Sequence, residues 1–159
     1  MGAKADGLAK QFEAKAQEAT AVMERMSDAD WKKTTAAEKW TVGVTAHHVA
    51  GAHEPIANIV RTVATGQSMP HFTMDMLDEA NAKHAKDFAN CTKAETIALH
   101  KKGVAAAAAA VRGLSDDQLT KSGTVLAGAP AMSAEQVITN ILINHIDDHF
   151  GSIRKTISA

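Results

Sequence analysis

The residues best suited to chemistry are histidines, and five of the chain's eight stand in two short segments. His47, His48 and His53 fall within TVGVTAHHVAGAHEPI, and His145 and His149 fall within NHIDDHFGSI. Helix residues four apart are stacked neighbours, so His145 and His149 can grip one cation together. A third imidazole from a facing helix would leave coordination positions open, which is typical of catalytic metal sites.

A helical wheel over the segment from residue 42 onward separates its three histidines. His48 lies near the edge of an apolar stripe, roughly 60° from the centre of that stripe, whereas His47 lies almost opposite to it. His53 lies on the other flank of the stripe. We therefore expect His48 to point inward, His47 to face solvent, and His53 and Glu54 to be solvated, with a role beside a metal left open. The stripe consists of Val44, Val49, Ala52, Ile56, Ile59, Val60 and Val63.

The C-terminal segment forms a similar wheel, with His145 and His149 on one border of a wide apolar face. Asp147 and Asp148 point away from that face, so neither is assigned a role. A pair of half-exposed histidines that bind nothing remains an alternative, because HxxxH occurs by chance. Neutral imidazole suits several transition metals, and spacing does not choose among them. The apolar face consists of Ile138, Leu142, Ile146, Phe150, Ile153 and Ile157.

Four long helices are predicted to position these side chains, over residues 5–26, 42–65, 92–113 and 133–157. Thr92 to Glu95 and Ser133 to Gln136 are capping-box patterns that open the third and fourth helices. A polar, peripheral helix is predicted over residues 74–89, and no convincing strand is found. Long helices with short connections predict an all-α four-helix bundle, with residues 1–159 as a single domain.

Bulk composition excludes several classes of protein. The net charge of −1 leaves no basic patch for nucleic acid. The N-terminal segment lacks the apolar region of a signal peptide, and no apolar run approaches membrane-spanning length. The single Cys91 excludes an intramolecular disulfide. We therefore expect a cytoplasmic protein without nucleic-acid or membrane partners.

The remaining candidates are predicted to be structural. Trp31 and Trp40 are expected to pack at the corner between the first two long helices. Cys91 has no base nearby in sequence and is not expected to be a nucleophile. His84 and His100 are expected to be solvated. His71 lies in the loop before the peripheral helix, and a position near the site is left open in case that loop folds over it.

Trp40 followed eight residues later by His48 in WTVGVTAHHVAG, together with NHIDDHFGSIRK near the C-terminus, resembles the DinB-like (DinB/YfiT-like) family of metalloenzymes. The resemblance extends over nearly the whole chain, although its strong motifs lie only on the second and fourth helices. It implies an up-down-down-up four-helix bundle with a divalent metal at one end. The implied metal ligands are His48, His145 and His149.

Related members of that family include transferases and isomerases that use low-molecular-weight thiols such as mycothiol or bacillithiol. The resemblance therefore implies a metal-dependent enzyme that acts on a small molecule, with a thiol as a candidate cosubstrate. No general base is evident beside the triad, which favours an external thiol as the nucleophile. A metal-dependent hydrolase and a non-catalytic, stress-related small-molecule-binding bundle remain alternatives. Zn or Ni is the expected metal, with Fe, Mn and Cu open, and a homodimer is also open.

Overall fold

Four long helical segments dominate the structure, a computed structural model that describes residues 2–69 and 71–158. The all-α four-helix-bundle prediction is confirmed, and the fourth long segment is built from the last three helices of the chain, the middle one a π-helix. The helices are α1 (Ala3–Arg25), α2 (Asp28–Trp31), α3 (Val42–Ala64), α4 (Met74–Asp87), α5 (Lys93–Arg112), α6 (Asp116–Thr120), α7 (Ala134–Val137), the π-helix (Ile138–Ile143) and α8 (Asn144–Ser158).

Local sequence sets the starts of these helices. The Thr41 hydroxyl accepts a hydrogen bond from the Val44 backbone N–H and so caps α3. Both predicted capping boxes form, from Thr92 at α5 and from Ser133 at α7. Each cap satisfies backbone donors that would otherwise lack a partner.

Ion pairs and hydrogen bonds show the direction of α1 relative to its neighbours. Lys4 pairs with Glu135 and Lys15 pairs with Asp147, so residue numbers increase in the same direction along α1 and the fourth segment. These two segments are therefore parallel. Along α1 and α5 the order reverses: Arg112 pairs with Glu13, and Lys93 donates to the carbonyl oxygen of Met26. α1 and α5 are therefore antiparallel.

Helices α3 and α5 run in the same direction. The start of α5 lies beside the start of α3, where the Trp31 indole both abuts Gly43 and donates to the Cys91 carbonyl. The chain beyond α5 meets the end of α3, where Gly123 packs against the backbone of Gln67. With α1 antiparallel to α5 and parallel to the fourth segment, the topology is up-down-down-up, as the resemblance implied.

The parallel arrangement of α3 and α5 requires a crossover, and α4 provides it. Its 14 residues span about 21 Å, which returns the chain toward the start of α3. None of its residues is buried, so the predicted peripheral helix is confirmed. His84, near its C-terminal end, nevertheless contacts His47 on α3.

The core lies between the four long segments and contains many small side chains. Phe12, Met23 and Phe150 are among its largest fully buried residues. Ala16, Ala19 and the buried alanines of α5 (Ala107, Ala108 and Ala110) let helices approach closely. At Gly43 an added Cβ would lie 2.4 Å from Trp31 Nε1, so Trp31 packs at the predicted corner.

Two details differ from the sequence-based expectation. The fourth helix is not purely α-helical, because Ile138–Ile143 form a π-helix just before His145. Short strands also form, β1 (Ser122–Gly123) paired antiparallel with β2 (Met132–Ser133), where the loop after α6 folds back on itself. Two-residue strands carry no periodic pattern, so sequence alone does not reveal them. Among the described residues, no helix is long and apolar enough to cross a membrane.

Candidate metal centre

The structure brings together the three residues that were predicted as metal ligands. His48 projects from α3, and His145 and His149 project from the adjacent α8. Each offers a ring nitrogen, and these three atoms lie within 4.8 Å of one another. The ring centroids are 4.7 Å apart for His48 and His145, 5.0 Å for His48 and His149, and 4.6 Å for His145 and His149.

The nitrogen atoms that face one another fit a metal ion. His48 Nε2 and His145 Nε2 are 3.0 Å apart. Two imidazole nitrogens bound to one ion at about 2.1 Å each lie roughly 3–3.4 Å from each other. His149 donates from Nδ1 to Glu38, which leaves its Nε2 lone pair free. The donor set is therefore three imidazole nitrogens, which suits a divalent transition metal.

Glu38 is a functional candidate that the sequence analysis missed. Its Oε2 accepts the Nδ1–H of His149 at 2.7 Å, and its Oε1 accepts the Ser152 hydroxyl at 2.7 Å. Metal-binding histidines usually donate their other ring N–H to such a carboxylate, which fixes the tautomer and orientation of the ring. Glu38 would therefore hold His149 with its Nε2 available to an ion.

The loop between α2 and α3 places Glu38 against α8. A backbone bridge joins Thr34 to Thr41, and the Thr35 N–H donates to the Trp40 carbonyl at 2.8 Å. The Glu38 side chain is only 9% exposed. Burial opposes its ionisation, but hydrogen bonds led by Ser152 and His149 prevail and hold its pKa below the ordinary value. Glu38 is therefore an anion at neutral pH.

Burial also keeps His48 and His145 neutral. Desolvation first, and then the charges of neighbouring histidines led by His149, lower the pKa of His48 to about 4. The same causes, in the same order, lower the pKa of His145. The neutral imidazole is the form that binds metal, so both side chains are ready to act as ligands near neutral pH.

His47 does not face solvent, and that prediction was wrong. Its side chain is buried under α4, where its Nδ1 is 2.8 Å from His84 Nε2 and its ring stacks on Phe88 with centroids 4.1 Å apart. The wheel considered only one apolar stripe, whereas the crossover covers the opposite side of α3 as well. His84 was also predicted to be solvated, but it is half-buried, and its ring lies 5.7 Å from that of His48.

His53 and His100 are the most deeply buried histidines, so the prediction that both are solvated was wrong. They are 0% and 1% exposed, and His53 Nε2 lies 3.0 Å from His100 Nδ1. His100 Nε2 lies 3.0 Å from the carbonyl oxygen of Ala16 on α1. The Phe12 ring packs edge-on against His53. The two polar rings pair across α3 and α5, and a wheel drawn for a single helix cannot show such a pairing.

Other predicted placements agree with the structure. His71 and Glu54 are exposed. Asp147 turns away from the triad and pairs with Lys15 at 3.3 Å. Burial raises the pKa of the Cys91 thiol, which suppresses the reactive thiolate.

A family model described as the mycothiol maleylpyruvate isomerase N-terminal domain matches residues 12–143. The chain belongs to this family. The DinB-like resemblance is thereby confirmed. The matched segment includes His48 and ends before His145 and His149, so the HxxxH pair lies outside it.

Two solved proteins share the fold. YfiT from Bacillus subtilis, described as a probable metal-dependent hydrolase with an unusual four-helix bundle topology, matches with a TM-score of 0.79 and 18% identity over 98% of this chain and 87% of its own. A mycothiol-dependent maleylpyruvate isomerase matches with a TM-score of 0.75 and 16% identity over 94% of this chain. A histidine-to-alanine mutant of that isomerase matches similarly. The chain spans 60% of the isomerase. No curated protein sequence matches the chain significantly.

Proposed function

We propose that the protein is a metal-dependent enzyme in which His48, His145 and His149 hold a divalent transition metal. The observation that carries the proposal is the convergence of three imidazoles, with a buried carboxylate behind one of them. Three protein ligands leave positions open for a water or substrate atom, which is the arrangement of a catalytic ion. Zn or Ni is the expected metal.

The protein's own residues would bind and orient the ion rather than move protons themselves. Glu38 holds the Nδ1 proton of His149, so that His149 presents Nε2. The Trp40 ring packs against His48 with centroids 5.3 Å apart and limits the rotation of that imidazole. When bound, the ion would supply Lewis acidity and lower the pKa of a coordinated thiol or water.

We propose thiol-dependent transfer or isomerisation of a small molecule as the reaction. The family description and one structural neighbour both refer to mycothiol, which supports a low-molecular-weight thiol as cosubstrate. Within the described residues, the carboxylate closest to the triad is Glu38, and both of its oxygens already accept hydrogen bonds. An external nucleophile suits a site whose carboxylate is occupied in this way.

Hydrolysis is the second candidate, and a particular side chain favours it. His84 Nδ1 is buried without a hydrogen-bond partner, and the ring lies next to His48. A neutral imidazole in that position could accept a proton from a water molecule. YfiT, which covers nearly the whole chain in the structural match, is described as a probable hydrolase.

Metal content tests the site. The protein is purified without a histidine tag, and its metals are measured by elemental analysis. We expect about one equivalent per chain in the wild type and loss of that metal in His48→Ala. His71→Asn is the matched control, because His71 is exposed and has a φ of 57°, a conformation that Asn tolerates. His47→Ala should also retain metal. Equal metal content in His48→Ala and His71→Asn would refute the ligand assignment.

Activity measurements separate the candidate functions. Metal-loaded protein is assayed with mycothiol and an electrophile or maleylpyruvate, and separately with activated esters and amides in the absence of thiol. Thiol-dependent turnover that disappears in the metal-free protein is the expected result. Turnover of esters or amides alone would establish the hydrolase instead. Metal binding without either activity would favour the non-catalytic binding bundle.

A further inference from the structure

The buried pair His53 and His100 has a defined arrangement of protons. A carbonyl oxygen only accepts hydrogen bonds, so His100 must donate its Nε2–H to Ala16. A neutral His100 then has a bare Nδ1, which can only accept, so His53 must donate its Nε2–H to it. Burial lowers the pKa of His53 to about 3 and also lowers that of His100, so both rings are neutral.

This arrangement leaves His53 with an acceptor that has no partner. Its Nδ1 carries a lone pair and is fully buried without a hydrogen bond. The Cδ2 edge of the same ring faces α5, 3.4 Å from the position of a Cβ at Gly103. Because Nδ1 lies across the ring from Cδ2, it points away from α5. Helix α8, which carries His145, also packs against α3.

His145 has the complementary need. Its Nε2 faces His48 in the proposed metal site, and its Nδ1 is buried without a partner. An imidazole that binds a metal through Nε2 carries its proton on Nδ1 and normally donates it to an acceptor. Burial first, then His149 and His48, lower the pKa of His145, and His53 is close enough to contribute to the same shift. The structure therefore holds a buried donor and a buried acceptor, each of which lacks a partner.

We propose that His53 and His100 are positioning residues for the metal ligand His145. The Nδ1–H of His145 donates through one buried water to Nδ1 of His53, the Nε2–H of His53 donates to His100, and the Nε2–H of His100 donates to the Ala16 carbonyl. One bridging water suits a site whose polar atoms are too far apart for a direct bond. This relay of three histidines would tie the orientation of His145 to the backbone of α1, much as Glu38 ties His149 to the loop before α3.

The inference rests on the proposed metal site, but its first test does not. In metal-free wild-type protein, ¹⁵N NMR of the histidine rings reports which nitrogen carries the proton. We expect His53 and His100 to be neutral Nε2–H tautomers. A proton on Nδ1 of His53 would overturn the relay whether or not the protein binds metal.

Zinc loading of the same protein tests the connection to His145. A slowly exchanging Nδ1–H signal of His145 should appear, and the ring signals of His53 should shift. Zinc binding with unchanged His53 signals would refute the relay alone. Failure of the wild type to bind zinc would refute the proposed function, and with it the role of His145 as a ligand.

Two near-isosteric variants distinguish positioning from packing. His53→Leu removes the acceptor and should raise the zinc dissociation constant about 10- to 100-fold. His53→Asn keeps an amide oxygen near the position of Nδ1 and should restore part of the affinity. Equal zinc affinity in the two variants would contradict the relay. If either variant fails to fold, the wild-type NMR results still decide.

Discussion

Glu38→Gln is the substitution that most directly tests how the candidate metal centre is held. Glu38 accepts two hydrogen bonds of 2.7 Å, one from His149 and one from Ser152, and it does so as a buried anion. Glutamine preserves the size but offers one acceptor oxygen to two donors and removes the charge. His149 would lose a charge-assisted hydrogen bond, which is roughly twice as strong as a neutral one.

The expected loss in zinc affinity is about 30-fold, or about 2 kcal/mol. That value lies within the 10- to 100-fold range typical of a carboxylate that supports a metal-binding histidine. The low exposure of Glu38 means that solvent does not screen the effect. Because His149 keeps its Nε2, zinc binding should weaken rather than disappear.

A competition titration against a chromophoric chelator near neutral pH measures the change. Glu54→Gln is the matched control, because it removes the same charge from an exposed position on α3. A Glu38→Gln affinity within twofold of wild type would refute the role of Glu38, provided that His149→Ala abolishes binding. An equal loss in Glu54→Gln would instead indicate a long-range effect of charge.

Three further predictions concern the scaffold. Gly43→Ala places a Cβ 2.4 Å from Trp31 Nε1, so the free energy of unfolding in urea should fall by about 1–3 kcal/mol, whereas Gly7→Ala, in open space, should not lower it. His53 has a folded pKa of about 3 against an ordinary 6.5, so its contribution to stability is complete above pH 6.5 and is lost as the pH falls from 6.5 toward 3. That loss is about 1.4 kcal/mol per pH unit. The free energy of unfolding in urea should therefore depend less on pH in metal-free His53→Leu than in metal-free wild type. An equal pH dependence in the two proteins would contradict the low pKa of His53. Burial raises the pKa of Cys91, so iodoacetamide should alkylate it more slowly in the folded than in the urea-unfolded protein; equal rates would count against this.

The helical framework was predictable from sequence because it depends on local signals. The capping boxes at Thr92 and Ser133 and the apolar spacing of Leu8, Phe12 and Met23 act within one or two turns. The inward orientation of His48 followed from the same periodicity. The π-helix is different, because Ile138–Ile143 are ordinary helix-forming apolar residues that carry no local signal for the longer turn.

Four histidines were misplaced because their environment comes from other elements: His47, His53, His84 and His100. His47 is buried by the crossover helix, and His100 by pairing with His53 on a different helix. A polar residue on a helix is expected in solvent unless a partner satisfies it, and a single sequence does not identify the partner. Glu38 was missed for a related reason: it lies in a loop without periodicity, and its partners lie more than 100 residues away.

The spacing between Trp40 and His48 acquires a physical explanation from the structure. Thr41 caps α3, and His48 follows seven positions, about two helical turns, after that cap. The same short segment carries Glu38, whose carboxylate reaches α8, and Trp40, whose ring packs on His48. The start of α3 therefore fixes two things together, the position of one candidate ligand and the support of another. An insertion between Glu38 and His48 would move both groups relative to α8, whereas an insertion at exposed Gly128, in the loop before β2, would leave both in place.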